Sequence, residues 1–143
     1  MSTTANDARI ALDVRPVLAR GEEPFAMIME AAGRVPAGGA LELTAPFEPV
    51  PLYAVLAGRG FGHLTTPLAG GAFLVRFVQT GITPAVTVGA VHERHPATAP
   101  VFAAHGVDLC CGGGKTLEFV AKAHGVELGR LVAELQHAVV AQR

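Results

Sequence analysis

Apolar positions along the chain change rhythm once. Up to Gln79 they fall in short alternating runs separated by two stretches of helical spacing; beyond Pro84 helical spacing takes over. RIALDV, Arg9–Val14, is a short apolar run that suits a strand. In EEPFAMIMEAAGRV, Phe25, Ile28, Met29 and Ala32 recur on one helical face, and Gly33 is placed to stop the helix. GGALELT sets Leu41 and Leu43 against Ala40 and Glu42, the alternation of a strand. EPVPLYAVLAGRG starts at prolines and ends at Gly58 or Gly60, which predicts a second helix. FGHLTT and AFLVRFVQT flank PLAGG and predict a terminal hairpin. The order is βαβαββ, a two-layer sheet covered by two helices, so the expected class is α+β.

GITPAV, Gly81–Val86, is the expected joint, with an α/β sandwich over 1–80 and a small all-helical domain over 84–143. AVTVGAVHERHP predicts a short helix stopped before Pro96, and ATAPVFAAHG another that ends at Gly106. TLEFVAKAHG has Thr116 as N-cap, Glu118 in the first turn and Gly125 as the stop. In the last segment Leu128, Leu131, Val132, Leu135 and Val139 form one stripe. Four short helices make a marginal core alone, which favours docking or self-association.

Half of the 143 residues are apolar and 16% are charged, so the chain should fold. The formal net charge of −1 and the lack of a basic run exclude nucleic acid and anionic membrane as first partners. The N-terminus lacks a signal-peptide pattern, and no apolar stretch reaches the roughly 20 residues of a membrane helix, so the expected location is cytoplasmic.

The chain has two cysteines, Cys110 and Cys111, adjacent and followed by three glycines in GVDLCCGGGKT. A disulfide between neighbours closes a strained ring, so they are poor partners for each other. They suit joint ligation of one soft metal, iron or zinc, or a nucleophile with its resolving thiol. Two thiolates supply two ligands where a tetrahedral site takes four, so the rest must come from a second copy, a partner or a small thiol. The helix expected from Thr116 should aim unpaired amides and positive partial charge at this turn, with Lys115 beside it, favouring thiolate. The alternative is that both are small buried packing residues. GGGKT is not a phosphate loop, because Leu109 stands where that pattern needs glycine, so no nucleotide is expected. A haem attachment pattern is absent as well. Of the six histidines, His105 is the best candidate for a further ligand; His92 and His95 are three apart and could share a face. Asp13 and Arg15 read as a surface pair or a loop contact.

Thr87–Leu135, with its HGVDLCCGGG core, TLEFV and closing LVAEL, resembles the small N-terminal domain of the ScdA-like di-iron proteins of iron–sulfur cluster repair. The resemblance implies that Cys110 and Cys111 serve in iron handling or thiol chemistry. In that family a hemerythrin-like domain holds two irons; its ligand set is not found up to Arg143, so no resident di-iron site is expected. LDVRPVLARGEEPFAMIME resembles the start of the TusA-like sulfur carriers. Matching Pro24 to the second proline of their Cys-Pro-x-Pro motif puts Gly21 where the sulfur-bearing cysteine would be, so the first module has no nucleophile of its own. The resulting expectation is an accessory protein of iron–sulfur repair or nitrosative and oxidative stress, with no catalytic residue set. Its partner would be a second copy or a hemerythrin-like di-iron or iron–sulfur protein. The alternatives are a persulfide relay through the two thiols and a non-catalytic interaction module.

Overall fold

The computed structural model describes residues 9–109 and 113–141. The chain divides into two compact units: Met1–Ala54 with His63–Gln79, and Val55–Gly62 with Thr80–Arg143.

In the first stretch of chain the elements are β1 (Arg9–Asp13), α1 (Arg15–Ala19), α2 (Phe25–Gly33), β2 (Ala40–Ala45), α3 (Val50–Ala57), β3 (Phe61–Pro67) and β4 (Phe73–Gln79). The strands form one mixed sheet in the order β1-β2-β4-β3. β1 and β2 are parallel, which requires the long crossover that α1 and α2 supply. β2 and β4 are antiparallel, and their register sets Leu41 opposite Phe77 and Leu43 opposite Val75. All four side chains are fully buried, so a slip of one residue would turn this face to water. β3 and β4 are neighbours joined through 68–72, where the Leu68 N–H donates to the Ala72 carbonyl. This is the expected α+β architecture.

Two details differ from the sequence reading. α1 was not foreseen: it is five residues long, too short to show a period, and it opens on Pro16 in its first turn. In α2 the buried stripe is Ile28, Ala31 and Ala32, and Phe25, at the helix start, is 46% exposed.

The second unit is helical: α4 (Val88–Arg94), a 3-10 turn at Pro96–Thr98, α5 (Ala99–Ala104), α6 (Leu117–His124) and α7 (Leu128–Val140). Its core gathers Val88, Val91, Phe102, Leu117, Leu131 and Leu135. The expected Thr116 cap and Gly125 stop are both present: Thr116 Oγ1 accepts from the Phe119 N–H at 3.1 Å, and Gly125 is left-handed with φ 68°. Thr87 and Glu127 cap α4 and α7 in the same way. The α7 stripe is Leu131, Val132, Leu135 and Val139, with Leu128 half-buried. Gln136 shares the buried side at 2% exposure; its Nε2 donates to the carbonyls of Ala57 (2.9 Å) and Ile82 (2.8 Å). Thr80 Oγ1 donates to the Gly60 carbonyl at 2.6 Å, so 55–62 is tied into this unit by polar bonds. Among the described residues no helix is long and apolar enough to cross a membrane.

Candidate functional site

Cys110, Cys111 and Gly112 lie outside the described residues; the frame on either side of them is described. Upstream, α5 closes at Gly106, and the Val107 N–H returns to the Phe102 carbonyl at 2.9 Å. Val107 is buried and Leu109 packs against the helical core. Downstream, 113–118 is laced to 84–89. The Gly89 N–H donates to the Gly113 carbonyl (2.9 Å), Val88 N–H to Lys115 (2.8 Å), Leu117 N–H to Val86 (2.9 Å) and Glu118 N–H to Pro84 (3.1 Å). Thr87 and Thr116 form an isolated antiparallel bridge within this lacing. The approach at Gly89 is so close that a Cβ there would sit 2.8 Å from the Gly113 oxygen. Only glycine fits without displacing Gly113, which lies two residues after Cys111.

These bonds correct one expectation. The first-turn amides of α6 were expected to be unpaired and aimed at the thiols. Leu117 and Glu118 give theirs to Val86 and Pro84, and Phe119 gives its own to Thr116. These three amides are therefore not available to an anion, and the helix dipole remains. Lys115 Nζ stands 4.8 Å from the centre of the Phe119 ring, a cation–π pair, and Phe119 itself is 53% exposed.

His105 is engaged elsewhere in the same unit. Its Nε2 is 2.6 Å from Glu134 Oε1, so Nε2 carries the proton and donates. Arg130 Nε donates to the other oxygen, Oε2, at 3.1 Å. The His105 hydrogen bond holds the Glu134 carboxyl below its ordinary range; partial burial opposes this and Arg130 adds to it. His95 Nε2 meets the Thr80 carbonyl at 2.9 Å. Among the described residues no group of three or more His, Cys, Asp or Glu side chains is arranged to hold a metal.

In the α/β unit, Asp13 and Arg15 form a surface pair, the first of the two readings, through Arg15 Nη2 to Oδ2 (2.8 Å) and Nε to Oδ1 (3.0 Å). The Arg15 side chain lowers the Asp13 carboxyl. Gly21 is exposed with φ +78°, and a Cβ built there meets nothing within 4 Å. The sequence reading missed a polar aromatic cluster. Tyr53 stacks on His63 with ring centres 3.7 Å apart, and its hydroxyl bonds Glu48 and Thr65. Burial raises the Tyr53 phenol. Phe77 packs at a tilt against both rings. The partners come from three elements and the loop before α3, so no local spacing signals them.

Comparison with known families gives two matches. Residues 11–79 match a family described as an uncharacterized conserved protein (DUF2249). Residues 85–139 match ScdA_N, described as a domain of unknown function (DUF542). No curated protein and no solved structure was found to match the chain.

Proposed function

From its organisation as a DUF2249 domain followed by a ScdA_N domain, we propose that this chain is a thiol-based accessory protein of iron–sulfur cluster repair. The observation that carries the reading is that the ScdA_N match spans 85–139 and so includes both cysteines of the chain.

Iron(II) is cargo in this scheme. Cys110 and Cys111 lose their thiol protons and bind the ion as thiolates. The remaining coordination positions are filled by a second copy, a small thiol or the recipient. Transfer is ligand exchange: the recipient's ligands displace the two sulfurs, the thiols regain protons, and no electron moves. The recipient is a protein with an iron or iron–sulfur centre, and the DUF2249 domain serves to dock it. The lacing of 113–118 to 84–89 supports the reading, because it fixes the backbone that follows the two thiols and so lowers the entropy lost when they close on an ion.

Iron and persulfide content of protein purified without oxygen tests this. Iron that is present in proportion to thiol, and lost in Cys110→Ser and Cys111→Ser, supports the proposal. Persulfide without iron replaces it with a sulfur relay through the two thiols. Neither, with both thiols unreactive in the folded chain, makes the cysteines packing residues.

A further inference from the structure

The α/β unit holds an apolar cleft at the C-terminal ends of its parallel strands. Val14, which follows β1, and Ala45, which ends β2, both line it. The α1–α2 connection forms one wall and the β2–α3 connection the other. Ligand sites in α/β sheets gather in the crevice outside the carboxyl ends of the strands. The cavity measures about 300 Å³, at the small end of the ~300–1,000 Å³ usual for small-molecule pockets. Leu18, Ile28 and Leu43 lie inside it, and two largely exposed rings, Phe25 and Phe47 (53%), stand among its lining.

Its charge is one-sided. Pro24, Pro49 and Pro51 line the cleft and have no N–H. Several other backbone donors of the lining are spent: Val14 on Thr44, Leu18 on Val14, Ile28 on Pro24, Leu52 on Pro49. Phe25 N–H donates to Glu23 Oε1 at 3.1 Å. Glu23 is the charged side chain of the lining, and its Oε2 is left to meet a ligand. The nearby arginines are paired locally, Arg15 with Asp13 and Arg20 with Glu22. The charge of the lining is therefore a carboxylate, which a cation can meet.

We propose that this cleft binds a small apolar amine, with its hydrocarbon part among Leu18, Leu43 and the two phenylalanine rings and its ammonium against Glu23. The site is separate from the thiol chemistry of the helical unit and does not depend on it. An amine with a flat or compact apolar body suits the rigid, proline-framed walls. A carboxylate or phosphate of the same size is disfavoured, because it would bring negative charge against Glu23.

The test is a nuclear magnetic resonance titration of the full chain with 2-naphthylmethylamine and, separately, 2-naphthoate. The amine should move the amide signals of Val14, Leu43, Ala45 and Phe47 first. It should bind about fivefold or more tighter than the acid, the range expected of one exposed charge contact. Glu23→Gln, an exposed change, should remove most of that preference while leaving the melting temperature in place. The proposal is overturned if the amine does not bind, if the shifts map elsewhere, if the acid binds as well as the amine, or if Glu23→Gln leaves the preference intact.

Discussion

Replacing Gly89 with alanine is the sharpest probe of the frame around the thiols. Alanine in place of glycine inside a helix ordinarily stabilises by about 0.5–1 kcal/mol. Here the sign should reverse. The new Cβ would lie 2.8 Å from the Gly113 oxygen and 3.3 Å from its Cα, both backbone atoms that cannot rotate away. Forcing a methyl into packed structure costs about 1–3 kcal/mol. Displacing Gly113 also strains or breaks the Gly89 N–H bond to it, for about 1 kcal/mol more. The net destabilisation is about 2 kcal/mol after the helical gain is subtracted. For a domain of this size that lowers the melting temperature by roughly 8–16 °C. Circular dichroism melting measures it, with iodoacetamide alkylation of Cys110 and Cys111 followed alongside. The alkylation rate should change too, because 113–118 follows the two thiols directly in the chain. A Gly89→Ala protein that melts at or above the wild type would refute the reasoning.

Three further changes probe other parts of the account. Gln136→Leu removes both Nε2 donors and leaves the Ala57 and Ile82 carbonyls without that bond, at a cost of about 2–4 kcal/mol in urea denaturation. Glu134, more than a third exposed at 37%, has its carboxyl lowered in the fold from 4.5, chiefly by His105. Its ionised form therefore adds stability above the unfolded value, and this is lost as pH falls through the folded one. The gap between wild type and Glu134→Gln should be under about 1 kcal/mol at neutral pH and close progressively below about pH 4.5. Gly21→Ala should cost about 1 kcal/mol of stability through the left-handed backbone alone, since its φ is +78° and the space around it is open.

The parts of the fold legible in the sequence are those set by neighbours along the chain. Thr116 and Gly125 bracket α6 because a cap and a stop act within one turn. The stripe from Leu131 to Val139 reads correctly because α7 is long enough to show its period. Leu41 and Leu43 read as a strand because alternation survives over a few residues. α1 escaped because five residues do not complete a pattern. Phe25 was misread because period alone cannot tell a helix start, where a side chain can reach a cleft, from the buried middle. The spent amides of Leu117 and Glu118 depend on the carbonyls of Val86 and Pro84, some thirty residues upstream. The same distance in sequence hides His105 from Glu134 and Tyr53 from Phe77.

Anaerobic titration of the full chain with iron(II) in the presence of a small thiol tests the central claim most directly. The account predicts a thiolate-to-iron charge-transfer absorption that saturates in proportion to protein. Cys110→Ser and Cys111→Ser should each lose most of it while melting close to the wild type. No such absorption in the wild type, with both thiols alkylated only after unfolding and each serine variant destabilised by several kcal/mol as a buried change would be, contradicts it.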